Sequence, residues 1–307
     1  MEIKKLPTQP IIDDNATVKC TEMGNIVEVQ YMSRCNKKQT IQKLDKDTYC
    51  RLDTGEVKEF IHGDSRKDNV NGLYKTFAKI RGLINTNCTD ANKIRWITLT
   101  YKENMKDPKR LYKDFDRCRK KIYYYCIKQG YERPEYIQVV EPQARGAWHI
   151  HMMLIWKKQD APFIPNKDLR EMWGQGFVNI QRVKDIDNLG AYLTAYLADI
   201  ELNENTLKYV NIDHGKIKEV EIDENGKKVS KKFIKGGRMA LYPTGMNIVR
   251  HSKGIEKPSE EYLSYKEAKK KVLGATKTYE NNILLSDDEY NFNSLIVKEQ
   301  YNKIRSK

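Results

Sequence analysis

Residues 135 to 156, EYIQVVEPQARGAWHIHMMLIW, hold two apolar runs around a short connection containing Pro142 and Gly146, the pattern of an antiparallel hairpin. Side chains alternate faces along a strand. His149 and His151 therefore point one way, and Ile150, Met152 and Leu154 the other. The histidine face continues with Met153 and Ile155, and burying imidazoles beside apolar groups costs free energy unless something binds them. Glu141 ends the first strand, so the turn returns its carboxylate beside Trp148 and within reach of both rings.

Two imidazoles and one carboxylate can hold a divalent ion while leaving positions for water or a phosphate oxygen. Ligand softness favours Mn, Ni or Zn, whereas cells hold more Mg, and Mg2+ or Mn2+ is the expected cofactor. A plainer reading uses the same residues: the histidines only hydrogen-bond within a half-buried strand, and Glu141 is an exposed strand end.

Periodicity places helices and strands around this hairpin. Leu73, Phe77, Ile80 and Ile84 share one face of a helix expected over 67–85, and KIRWITLTY (93–101) reads as a strand. Leu111, Phe115, Cys118, Ile122 and Tyr125 define a helix from Pro108 to about Gln129. Its stretch from Lys106 to Lys121 carries eight Lys/Arg and three Asp, which makes the outward face basic. A short helix is expected around 166–173, then the strand GFVNIQRV, then a helix over 185–200 capped by Asp185 or Asp187. In that last helix Ile186, Leu189, Leu193, Leu197 and Ile200 form the buried stripe. Tyr192 and Tyr196 leave one flank of it together. Tyrosines often border a core face. Beside a cation they are also candidate nucleophiles, because a bound ion favours the phenolate that attacks a phosphate.

The fold class expected is α+β, a central antiparallel sheet with helices packed on it. Residues 1–65 form a small β-rich module, 66–202 the core, and 203–307 an extension of hairpins and a Lys-rich helix. In that extension, 216–234 turns at Asn225-Gly226, RMALYPTGMNIVRHSKGI gives two short strands, Ser259 to Leu273 is helical, and the last 25 or so residues are partly disordered.

Lys plus Arg total 56 against 42 acids, a net charge of +14, with a pI near 9.3. Such a balance favours a polyanionic partner through counterion release, nucleic acid first. Biased nucleotide usage would raise lysine equally, so the distribution of charge matters more than its sum. No apolar run reaches the length of a membrane helix and no secretory leader is evident, so no membrane partner is expected. The six cysteines form no CxxC pair and read as reduced thiols in a cytoplasm. A GxxxxGK phosphate loop is absent, which leaves strand unwinding to a partner.

The strand WITLTY, Glu141 with HIH eight to ten residues on, and a Tyr-x-x-x-Tyr helix, in that order, resemble the three motifs of HUH endonucleases. The likeness is to rolling-circle replication initiators of the two-tyrosine type, found in plasmids and single-stranded DNA phages, and covers about Lys93 to Glu201. It implies a sheet with the histidine strand in its middle and helices on one side. It also implies nicking of single-stranded or extruded origin DNA through a 5′-phosphotyrosine, with rejoining by the second tyrosine. Glu141, His149 and His151 would bind the ion, Tyr192 and Tyr196 would be nucleophiles, and a host helicase and polymerase would be partners. Phage relatives commonly carry Lys three residues after each tyrosine, where this chain has Ala195 and Asp199. Two alternatives remain: a non-catalytic single-strand binder stacking bases on Trp96, Trp148 and Tyr101, and a related HUH transposase. The oligomeric state is not legible.

Overall fold

The computed structural model describes residues 2–34, 39–61, 70–183, 187–201, 217–224, 227–234, 238, 241–287 and 292–305. Two compact units emerge: Met1–Glu22, Ile26–Asp64 and Ser259–Lys307 in one, Met23–Asn25 and Ser65–Pro258 in the other. The first opens with β1 (Glu2–Lys5), β2 (Thr17–Met23) and β3 (Ile26–Met32), followed by a small sheet of β4 (Ile41–Lys43), β5 (Thr48–Arg51) and β6 (Val57–Glu59).

The second unit runs α1 (Val70–Asn87), β7 (Ile94–Thr100), α2 (Pro108–Lys128), β8 (Glu135–Pro142), β9 (Trp148–Ile155), α3 (Asn166–Trp173), β10 (Val178–Arg182) and α4 (Leu189–Ala198). It ends with β11 (Ile200–Glu201), β12 (Ile217–Glu224), β13 (Lys227–Ile234) and β14 (Val249–His251). The chain then re-enters the first unit as β15 (Ser259–Ser264), α5 (Tyr265–Lys271), β16 (Thr276–Asp287) and β17 (Phe292–Asn302).

The architecture is α+β with antiparallel sheets, as the periodicity predicts. In the second unit the sheet order is β10-β7-β9-β8-β14, so the histidine strand β9 is central. Helices cover both of its faces, not one. Tyr136 and Tyr101 meet Phe115 of α2 and Trp173 of α3 on one side, whereas Trp96 meets Tyr192 of α4 on the other. Double coverage explains why β7 and β9 read as near-continuous apolar runs.

Polar contacts set the pose of α4. Asn188, not Asp187, caps it, its Oδ1 accepting from the Ala191 N–H at 3.2 Å; Asp185 and Ile186 lie outside the described residues. Buried Asn85 of α1 accepts from the Gly190 N–H at 2.8 Å and donates to Asn188 Oδ1 at 2.9 Å. Leu189, Leu193 and Leu197 are buried, as their spacing predicts.

The C-terminal stretch departs from the sequence reading. Residues 259–264 pair with β2 as strand β15, and the helix starts only at Tyr265. The cause is a capping box: Ser264 Oγ accepts from the Glu267 N–H, and Glu267 accepts from the Ser264 N–H. The terminal residues are ordered as a long β16–β17 hairpin joined to β1 and β3. Polar residues hid it, because buried Glu299 is matched by Lys269, Tyr301 and Gln9 at 3.2, 2.8 and 3.1 Å. Residues 259–307 thus complete the N-terminal sheet, a partition different from boundaries at 65 and 202. The stretch 238–255 supplies one strand, β14, not two. The β12–β13 hairpin forms, with its Asn225-Gly226 turn outside the described residues. Among the described residues no helix is long and apolar enough to cross a membrane.

Close packing of α4 on α1 gives a test. A Cβ on Gly190 would sit 2.6 Å from the Arg81 carbonyl oxygen and 2.7 Å from Asn85 Oδ1. Gly190→Ala is expected to lower stability by about 1–3 kcal/mol, read as a drop in the urea midpoint.

Candidate functional site

Strand register fixes what meets what. Glu141 lies opposite His149, and Val139 opposite His151, while β7 sets Thr98 against His151 and Thr100 against His149. Glu141 is long enough to reach the diagonal neighbour: its Oε2 is 2.5 Å from His151 Nε2. A proton held at Nε2 leaves His151 Nδ1 to accept from the Thr98 hydroxyl, 3.4 Å away. His149 and His151 stand with ring centroids 6.4 Å apart, and Met153 and Ile155 continue their face into the core.

Glu141 is 5% exposed, and a carboxylate so buried needs compensation. Burial pushes its carboxyl upward, but the His151 hydrogen bond and the nearby charges of His151, Arg238 and His149 outweigh that and hold it below its ordinary value. Arg238 is the residue that sequence reasoning missed. Its Nη1 lies 2.6 Å from Glu141 Oε1 and donates to the Pro142 carbonyl at 2.7 Å, while Nε donates to the Asp199 carbonyl at 2.7 Å. Arg238 thereby ties the end of β8 to the segment that follows α4. Buried Tyr242 does the same nearby, donating toward the carbonyls of Val140 and Leu197 at 3.3 and 3.2 Å. Neither belongs to a periodic stretch, so no sequence pattern marks them.

His149 has a different environment. Its Nε2 is buried with no hydrogen-bond partner among the described residues. Burial, opposed by Glu141 and aided by His151 and the two arginines, lowers its pKa to about 4, so the ring is neutral near pH 7.

Tyr192 approaches from α4 and is 55% exposed. Trp96 stands between it and the histidines, edge-on to both rings, with centroids 5.8 Å from Tyr192 and 6.0 Å from His151. Tyr196 follows one turn later in α4, and its side chain lies outside the described residues, as does that of Ala195. Asp199 is buried. Trp96, Trp148 and Tyr101 are 9%, 3% and 2% exposed, so none offers a face on which a base can stack. That removes the three rings on which the single-strand binding alternative was built.

Among the described residues no three His, Cys, Asp or Glu stand close enough together to hold an ion as they are. Glu141 and His151 are bonded to each other instead. The donor chemistry nevertheless fits a divalent ion: one ionised carboxylate, one imidazole against it, and a second, neutral imidazole whose buried Nε2 lacks a partner.

Residues 94–201, a little over a third of the chain, match a family model described as replication-associated protein, ORF2 type. The matched span begins at β7 and ends at β11, so it contains Glu141, both histidines and the α4 tyrosines. The match supports a role in the initiation of replication. No curated protein and no solved structure matches the chain.

Two outcomes follow from the buried charges. Arg238→Ala strands the Glu141 carboxylate and should cost about 3–5 kcal/mol in urea unfolding, with Arg238→Lys recovering part of it. For pH, the unfolded His149 gains a proton below its ordinary 6.5 whereas the native ring resists until about 4, so stability falls across that window. Glu141, held low, keeps its contribution above 4.5 and loses it only at more acid pH. Urea midpoints between pH 7 and 5 should therefore fall less steeply in His149→Asn than in the native protein.

Proposed function

We propose that this protein is a DNA-nicking and rejoining replication initiator of the HUH type. The observation that carries the reading is the convergence of Glu141, His149 and His151 on one face of β8–β9, with the exposed hydroxyl-bearing ring of Tyr192 brought to that same face by α4. The family match over 94–201 supports it.

In this reading Glu141, His149 and His151 hold Mg2+ or Mn2+, which when bound offsets the charge developing on the scissile phosphate. The Tyr192 oxygen attacks phosphorus of single-stranded origin DNA and loses its proton to solvent, which its exposure permits. A phosphorus–tyrosine oxygen bond forms, the bond to the 3′ oxygen breaks, and that oxygen leaves as a 3′ hydroxyl able to prime synthesis. Tyr196, one turn along the same helix, is the candidate for the second cleavage and for rejoining. Trp96 packs between Tyr192 and His151 and fixes their spacing. Arg238 brings a cation to Glu141 and to the backbone of Asp199, the position where phage relatives carry lysine. A host helicase and polymerase in the cytoplasm are the partners this activity requires.

One observation favours a second reading, a non-catalytic single-strand binder: Arg238 and His151 already satisfy the Glu141 carboxylate without an ion. A single experiment separates the two. The protein is mixed with short random-sequence single strands and Mn2+ or Mg2+ and run on a denaturing gel. Nicking predicts a covalent adduct with 3′-labelled but not 5′-labelled strands, abolished by chelator and reduced at least a hundredfold in Tyr192→Phe. Binding without adduct in either metal supports the second reading. An adduct that survives in Tyr192→Phe and vanishes in Tyr196→Phe moves the initiating nucleophile to Tyr196.

A further inference from the structure

Helix α2 carries its chemistry away from the site. Leu111, Phe115, Cys118, Ile122 and Cys126 face the sheet on the side opposite the histidines. Lys109, Lys113, Lys120, Lys121 and Lys128 are all exposed on the other side of the helix, over a length of about 30 Å. None of these five lysines forms an ion pair among the described residues. The acids within the helix are engaged elsewhere: Asp114 lies near Arg110 and Arg117 at 3.4 and 3.5 Å, and Asp116 takes Arg119 and Arg250 at 3.5 and 3.0 Å. A run of unpaired like charge on one helix face costs self-repulsion, which a polyanion relieves.

A second observation names the polyanion. Near the end of the helix an open groove runs between α2 and α3, edged by Lys120, Lys121, Lys128 and Tyr124 and floored by Tyr125 and Met172. Tyr124 is 69% exposed among these lysines. Of the two carboxylates that α3 contributes to the groove, Asp168 is taken by the Tyr125 hydroxyl, which leaves Glu171 against three ammonium groups. An exposed ring flanked by cations can stack on an unpaired base while the lysines follow its phosphates. A duplex keeps its base faces covered and offers such a ring nothing to stack on.

We propose that the α2–α3 groove is a second single-stranded DNA track, on the face of the sheet opposite the nicking site, with Tyr124 as its stacking platform. It holds a stretch of strand that is not at Tyr192. This inference rests on single-stranded DNA being the substrate, but it does not depend on chemistry occurring.

The test measures binding alone, with full-length Tyr192→Phe protein in chelator, so that failure of the nicking reading does not affect it. Fluorescence anisotropy is recorded with labelled oligothymidylate and with a duplex of equal length across a salt series. The combined substitution Lys120→Ala, Lys121→Ala, Lys128→Ala is expected to weaken single-strand binding about tenfold or more and to flatten the log-affinity against log-salt slope by about 2. Tyr124→Ala is expected to weaken it about fivefold or more with the slope unchanged, to leave duplex binding intact, and to be rescued by Tyr124→Trp. All these residues are exposed, and unchanged thermal unfolding confirms the fold. Native affinity and slope in the lysine variant overturn the proposal. So does Tyr124→Ala that binds single strands as the parent does, whatever the lysines do, because the surface is then at most a duplex or non-specific contact. The adduct assay on groove variants that retain Tyr192 reports on the nicking reading separately.

Discussion

The second unit is organised around one buried carboxylate. Glu141 sits where water cannot solvate it, and two cationic or polarisable partners from distant parts of the chain answer it: His151 across the hairpin and Arg238 from beyond the β12–β13 hairpin. Because each partner also bonds elsewhere, to Thr98 on one side and to the carbonyls of Pro142 and Asp199 on the other, the carboxylate couples β7, β8, β9 and the end of α4. Buried ion pairs of this kind add little net stability compared with apolar packing, yet they penalise any arrangement that leaves one member alone. Retaining such a pair in the middle of a sheet is readily understood if the carboxylate has a second task.

The neighbouring imidazoles show how one strand can supply two different groups. His151 is engaged on both nitrogens, whereas His149, two residues earlier and on the same face, is kept neutral with a buried nitrogen left unpartnered among the described residues. The unpartnered atom is the local deficit of the site, and it is the feature most in keeping with a ligand. Tyr192 lies beyond Trp96, held by α4, whose pose depends on Asn85 and Asn188 at one end and on Tyr242 and Arg238 at the other. Both the approach of the phenol and the closure of the carboxylate thus pass through residues that are themselves far from the reacting atoms.

Much of this is legible in the sequence. Period-two alternation places the histidines together, the Pro- and Gly-containing connection returns Glu141 beside them, and apolar spacing locates α1 to α4 to within a few residues. These signals are local, set by the backbone geometry of one element or one turn. The strands β16 and β17 escape because their polar residues look solvated in sequence and are instead paired in the fold, as with Glu299. The residues after Ser259 look helical because Lys and Glu dominate them, and pairing with β2 overrides that preference.

By itself the sequence determined which side chains share a face: His149 with His151, Tyr192 with its helix flank, the lysines of α2 away from the core. Those are consequences of strand and helix repeat, and they hold in any tertiary arrangement that keeps the elements. Only the tertiary structure decided that Arg238 meets Glu141, that Trp96 stands between His151 and Tyr192, and that helices cover both faces of the sheet. Each is a contact between residues separated by dozens of positions, governed by which buried charges and rings find partners, and no local repeat encodes that choice.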